Sequence, residues 1–238
     1  MIEIAWIFPR HLGTYGDAGN IAALEYRCRA RGIEVAVRRI DPGARLPRAD
    51  LVFIGGGQDR AQAALCETLR ALRDRLDGEV RDGGVVLGVC AGYQFLGHSY
   101  ALPDGRTIPG LGFLDIESTA GGDRFVGKLV AEPDSRLGLG ARIVGFENHS
   151  GRTILGSDPR LRPLGTVVRG HGNNGADGSE GAFMGNVFGT YLHGPLLPNN
   201  PRLCDLLIRR VLRRRGRSDV LAPLDDSAEA EAASAYIE

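Results

Sequence analysis

The chain has no apolar run long enough to cross a bilayer; its longest runs are strand-sized. Its first residues, Met1-Ile2-Glu3-Ile4-Ala5-Trp6-Ile7-Phe8, lack a basic segment and a small-residue cleavage site, so they read as a core strand and not as a signal peptide. Charge of either sign is missing in net terms. Lys plus Arg and Asp plus Glu stand at 29 each, leaving no field to draw the chain to nucleic acid or to insert it in a membrane. The four cysteines, Cys28, Cys66, Cys90 and Cys204, show neither paired metal spacing nor a dense disulfide pattern. A reducing, cytoplasmic compartment is the simplest expectation. No G-x-x-x-x-G-K-[ST] phosphate loop occurs, which assigns any nucleotide chemistry to a partner. Internal repeats are absent too.

What is present is globular. The 238 residues, 43% hydrophobic and 24% charged, suit one domain with a single filled core. Strand and helix alternate along the first half. Residues 2–8 form a strand, and Ile21, Leu24 and Cys28 mark one face of a helix over 20–31. Ile33, Val35 and Val37 alternate as a half-buried strand. Leu51-Val52-Phe53-Ile54 and Val85-Val86-Leu87-Gly88-Val89 are continuous apolar runs, the pattern of central parallel strands. Between them one helix carries Leu65, Leu69, Leu72 and Leu76. The pattern predicts an α/β fold, a doubly wound and mostly parallel sheet with helices on both faces. Residues from about 109 to 192 are richer in strand-like segments and are expected to add antiparallel strands to one edge of that sheet. Asn200 and Pro201 read as N-cap and first residue of a last helix. Arg213-Arg214-Arg215 then complement its dipole before Gly216. Residues 1–215 thus form the domain. The rest, 216–238, is an acidic, Ala-rich tail expected to be flexible.

The chemistry centres on Gly88-Val89-Cys90-Ala91-Gly92. Glycines two before and two after a cysteine, between a strand and a helix, match the G-x-S-x-G nucleophile elbow with sulfur replacing oxygen. A helix N-terminus stabilises a thiolate, and the Ala91 N–H points at a developing oxyanion. A thiol nucleophile needs a base. His193, at the end of the strand 186–192, lies where ligands of parallel sheets bind. His149, in Phe146-Glu147-Asn148-His149-Ser150, is the rival. His98 lies two turns along the elbow helix and is structural.

Gly88-Val89-Cys90-Ala91-Gly92-Tyr93-Gln94 resembles the G-x-C-x-G-x-Q signature of class I (triad) glutamine amidotransferases. Gly55-Gly56-Gly57 falls where that family places a second oxyanion loop, and Tyr191-Leu192-His193-Gly194 resembles its base motif. The resemblance implies a flavodoxin-like scaffold over roughly the first 215 residues. Within the class, Gly145-Phe146-Glu147-Asn148-His149 and Tyr191-Leu192-His193-Gly194-Pro195 look like the cobyric-acid-synthase-like branch. Thr14-Tyr15-Gly16-Asp17-Ala18-Gly19-Asn20, Gly55-Gly56-Gly57-Gln58-Asp59 and Asn148-His149 look like the glutaminase subunits of lipid II isoglutaminyl synthases.

That resemblance implies roles. Cys90 attacks the glutamine amide, Ala91 and Gly57 hold the oxyanion, and His193 moves the protons. Gln94 faces the bound glutamine, and Arg124 grips its α-carboxylate. The ammonia passes to a Mur-ligase-like subunit that carries ATP and Mg and amidates the α-carboxylate of D-glutamate in the lipid II stem peptide. No cofactor is expected in this chain. One departure stands out: the family usually places a glutamate two residues after the base, where this chain has Pro195. Either Glu147 or the partner subunit would supply the acid. The alternatives are the glutaminase component of corrin amidation, a degenerate regulatory subunit, and a free-standing γ-glutamyl hydrolase.

Overall fold

In a computed structural model, which describes residues 1–237 apart from the side chains of Tyr15 and Asp59, the N-terminal part alternates strand and helix. It runs β1 (Ile2–Ile7), α1 (Ala18–Arg29), β2 (Val35–Ile40), β3 (Leu51–Ile54), α2 (Asp59–Arg70), α3 (Arg73–Arg81), β4 (Val85–Val89) and α4 (Ala91–Leu96). A strand-rich stretch follows: β5 (Ser99–Ala101), β6 (Thr107–Pro109), β7 (Ile116–Pro133), β8 (Ile143–Leu155), β9 (Gly165–Arg169) and β10 (Ser179–Glu180). The chain closes with β11 (Ala182–Met184), β12 (Val187–Thr190), α5 (Leu196–Asn199), α6 (Pro201–Arg214) and α7 (Ser227–Ile237).

The first sheet has the order β11-β12-β4-β3-β1-β2. Its neighbours are parallel except the antiparallel edge strand β11. β3 and β4 are buried along their whole length, as continuous apolar strands covered on both faces must be. The expected antiparallel addition divides in two. β11 joins the edge of this sheet, whereas β5 to β10 form a second sheet built on β7. Length is the reason. β7 has 18 residues and β12 only 4, so most of β7 would have no partner there. It pairs antiparallel with β8, from Ile116 opposite Leu155 to Ala131 opposite Ile143.

Other local expectations are modified by tertiary contacts. The helix predicted through Leu76 is broken at Ala71–Leu72 into α2 and α3. α4 ends at Leu96, so His98 lies beyond it, where its ring nitrogen meets Asp115 at 3.0 Å. Asn200 precedes α6 but caps nothing with its side chain. Instead it accepts from Val144 N–H at 2.9 Å and donates to Val144 C=O at 2.7 Å, filling a gap in the β8 backbone. Arg214 turns inward to Glu79 and Asp82 and ties α6 to α3.

The tail makes charged contacts with the domain. Arg27 of α1, 2% exposed, forks onto Asp205 of α6 at 2.7 and 2.9 Å and onto Asp226 at 2.6 Å. Arg31 adds Asp205 and the Ala222 carbonyl. The acidic segment is thereby laid along α1, and α7 reaches β7, where Lys128 Nζ donates to the Ala235 carbonyl. No helix among the described residues is long and apolar enough to cross a membrane.

Arg27→Met should cost about 3–5 kcal/mol of stability, the scale for removing one partner of a buried ion pair. Asp226 is 32% exposed, so Asp226→Ala should cost no more than about 1 kcal/mol yet open the chain after Arg217 to limited proteolysis. Urea titration and a trypsin time course measure both. Equal protease resistance of Asp226→Ala and parent would show that the clasp does not hold the tail.

Candidate active site

The elbow forms where the sequence places it. Cys90 follows β4 and precedes α4 at φ 53°, ψ −105°, a backbone state that non-glycine residues hold only at a cost of about 1–3 kcal/mol. The flanking glycines are steric necessities. A Cβ on Gly92 would lie 2.1 Å from the Ile54 carbonyl oxygen, and one on Gly88 would lie 2.7 Å from Gly92 C and O. The turn is bonded on both sides. Cys90 N–H donates to Thr190 C=O of β12 at 2.8 Å, and Gly92 N–H donates to Gly55 C=O after β3 at 3.1 Å.

Those two bonds bring the other motifs in. β12 runs parallel to β4, with Thr190 beside Val89, and leads directly into His193. His193 exchanges both backbone hydrogen bonds with Phe146 of β8, at 2.8 and 3.1 Å. The Gly55–Gly57 loop leaves β3 on the other side, and a Cβ on Gly57 would stand 3.7 Å from Ala91 Cβ. Cys90, Ala91, Gly57 and His193 therefore gather at the C-terminal edge of the parallel sheet, where such sheets place their ligands.

A cavity of about 460 Å³ opens beside Cys90, within the size range of small-molecule sites. Gly57, Gln94, Arg124, Asn148, His149, Thr14 and Tyr100 are among its walls. The β7–β8 ribbon brings Arg124 there, through an irregular stretch between Ala120 and Phe125. Arg124 Nε donates to Asn148 Oδ1 at 2.5 Å and a terminal nitrogen to Asn148 C=O at 3.2 Å, so the guanidinium is held in one orientation at the rim. Gln94 is buried; its Oε1 accepts from Gln62 at 2.9 Å and its Nε2 donates to Tyr191 Oη at 3.2 Å. Among the described residues no cluster of three or more His, Cys, Asp or Glu side chains offers a metal site.

The two histidines differ in setting. His149 Nδ1 faces the Gly151 carbonyl at 2.9 Å and its ring stacks on Tyr191 at 3.6 Å. Its Nε2 lies 3.9 Å from Glu147. Glu147, weighed from sequence as an acid for His193, accepts from His171 Nδ1 at 2.8 Å and from Gly172 N–H at 3.0 Å. His193 is pushed down to about 3, first by burial and then by the positive charges of His149 and Arg124. It is neutral at physiological pH and so able to accept a proton, and its burial makes it a weaker base than an exposed imidazole.

Two buried acids carry no role in the sequence reading. Glu180 accepts from Thr190 Oγ1 at 2.5 Å and from Tyr191 N–H at 2.9 Å, bracing the strand that leads to His193. Asp17 accepts from Gly56 N–H at 2.6 Å. Burial pushes each carboxyl up to about 7. Of the two, only Asp17 lies in a sequence motif, Thr14-Tyr15-Gly16-Asp17-Ala18-Gly19-Asn20.

Comparison with known proteins agrees with the geometry. Residues 3–201 match the CobB/CobQ-like glutamine amidotransferase domain. The chain is 40% identical to the lipid II isoglutaminyl synthase (glutamine-hydrolyzing) subunit GatD of Staphylococcus aureus strain N315, over 95% of this chain and 91% of that one. Identity to the GatD subunit of Streptococcus pneumoniae strain R6 is 35%, over 99% and 90%. A probable cobyric acid synthase of Methanothermobacter thermautotrophicus is 33% identical over 82% of this chain but only 39% of its own length. Among solved structures, a glutamine amidotransferase of Thermotoga maritima superposes with a TM-score of 0.56 at 16% identity, covering 99% of this chain and 93% of that one, a likeness of fold.

An imidazole NMR titration should leave His193 neutral down to about pH 4, given ionisation near 3 in the fold against about 6.5 in an unfolded chain. The unfolded state then binds the extra proton, so this residue withdraws stability as pH falls from about 6.5 toward 3. A His193 ring that titrates near pH 6 would contradict the buried, cation-flanked setting.

Proposed function

This chain belongs to the CobB/CobQ-like glutamine amidotransferase family, and from that premise we propose that it is the glutaminase subunit of a lipid II isoglutaminyl synthase. The observation that carries the catalytic assignment is the strained elbow: Cys90 at φ 53°, bonded through its own amide to β12 and through Gly92 to the glycine loop after β3.

Cys90 Sγ attacks the side-chain carbonyl carbon of glutamine while the thiol proton passes to His193. The carbonyl oxygen becomes an oxyanion between the N–H groups of Ala91 and Gly57. Collapse breaks the C–N bond, His193 returns its proton to the departing ammonia, and a Cys90 thioester remains. Water, deprotonated by His193, then releases glutamate and restores the thiol. Arg124, set by Asn148, makes a two-point contact with the α-carboxylate. Gln94 contributes a buried amide wall. His149, tied to Gly151 and stacked on Tyr191, shapes the same wall.

The acceptor is the α-carboxylate of D-glutamate in the lipid II stem peptide, activated on a Mur-ligase-like cytoplasmic partner that holds ATP and Mg. Matches over nine-tenths of two lipid II relatives, against 39% of a cobyric acid synthase, favour this acceptor over a corrin.

With the partner present, Cys90→Ala should abolish glutamine-dependent amidation and keep amidation by free ammonia. Loss of both activities would mean that Cys90 does not serve ammonia production. In the parent chain a glutamine-derived electrophile should modify Cys90 and spare Cys28, whose thiol burial pushes up to about 11.

Arg124→Lys should raise the KM for glutamine by about tenfold or more, because an ammonium cannot reproduce the planar two-point contact. An unchanged KM would remove Arg124 from the substrate.

A further inference from the structure

The loop before α1 reaches the oxyanion hole through two hydrogen bonds. A trans peptide points its C=O and the next N–H in opposite directions, and no peptide here is cis. The Gly56 carbonyl accepts from Thr14 N–H at 3.2 Å, so the Gly57 N–H is turned away from that amide. Gly56 N–H donates to Asp17 Oδ2 at 2.6 Å. Both polar groups of Gly56 are thus held by one loop: Asp17 fixes the Gly55–Gly56 peptide through its N–H, Thr14 fixes the Gly56–Gly57 peptide through its C=O, and the two together leave the Gly56 backbone little freedom to turn the Gly57 N–H.

Asp17 is held in turn. It is fully buried, as is Asn20, whose Nδ2 donates to Asp17 Oδ1 at 3.3 Å. The orientation of that amide follows from its other end. Asn20 Oδ1 accepts from Leu197 N–H at 2.8 Å, which directs the NH2 group to Asp17. Crowding completes the arrangement. A Cβ on Gly56 would lie 2.8 Å from His193 Cε1 and 3.4 Å from Asp17 Oδ2, so carboxyl, loop and base ring stand side by side. A neutral amide at position 17 would avoid the cost of burying a carboxylate, yet it could not accept at both oxygens.

We propose that Asp17 is a positioning residue of the glutaminase site: its carboxylate holds the Gly56 amide so that Gly57 N–H stays aimed at the oxyanion formed on attack by Cys90. The proposal rests on the roles given to Cys90 and Gly57 above.

Asp17→Asn, checked for an unchanged circular dichroism spectrum, separates this role from a structural one. A donor aimed at the transition state alone affects kcat and not KM. We expect kcat for glutamine to fall at least about tenfold, short of the roughly 10²–10³-fold cost of deleting an oxyanion donor, with KM within about twofold. Alkylation of Cys90 by iodoacetamide, a displacement that forms no oxyanion, should keep its rate. Asn20→Asp, which keeps the Leu197 bond but sets an oxygen against Asp17, should give the same split and serves if Asp17→Asn does not fold. An unchanged kcat, or alkylation slowed in parallel with hydrolysis, overturns the proposal. If a glutamine-derived electrophile fails to modify Cys90 in the parent chain, the glutaminase reading itself falls and takes this one with it.

Discussion

The torsion at Cys90 is the constraint on which the site depends. Of the described residues only Phe8 and Cys90 combine a side chain with positive φ, and both stand at the C-terminal ends of parallel strands. The strain at Cys90 is tolerated because the turn is over-determined: glycines admit the backbone of β3 against Gly92, and amides on the turn are donated to β3's loop and to β12. Each of those bonds also carries a second motif, the glycine loop on one side and the base strand on the other. Sheet order therefore assembles the chemistry. β3, β4 and β12 are consecutive in the sheet although distant in sequence.

Burial sets the charge state around this turn. His193 is driven down and the carboxyls of Asp17 and Glu180 are driven up by the same cause, the loss of water around an ionised form. The resting site holds a neutral, buried imidazole, and the oxyanion charge arises during the reaction, close to fixed backbone dipoles. Low dielectric strengthens those dipoles when an oxyanion appears.

Local signals were legible wherever a residue's role is local. Gly88, Cys90 and Gly92 declare an elbow because the crowding they relieve lies within the turn and its neighbouring strand. Continuous apolar runs declare β3 and β4 because both faces are covered. Long-range partnerships left no such mark. Nothing in the periodicity of β7 says that it leaves the first sheet, and nothing in Asn200 says that it completes β8 instead of capping α6. An acidic composition gives the tail no visible anchor, whereas its contacts run to Arg27 and Arg31 of α1, far upstream. The Asp17 motif was visible as a motif only; its function depends on Gly56 and Leu197, which no spacing rule connects to it.

The β7–β8 ribbon that carries Arg124 and Asn148 belongs to the second sheet, while Cys90 is fastened into the first and His193, just past β12, is bonded through its backbone to Phe146 of β8. Amides buried in a central sheet open only with global unfolding, whereas peripheral units can open by themselves at lower free energy. Heating would then disable the enzyme in two stages. The grip on substrate and the seat of the base loosen first, as the ribbon frays, and the nucleophile leaves its strained turn only when the parallel sheet itself comes apart.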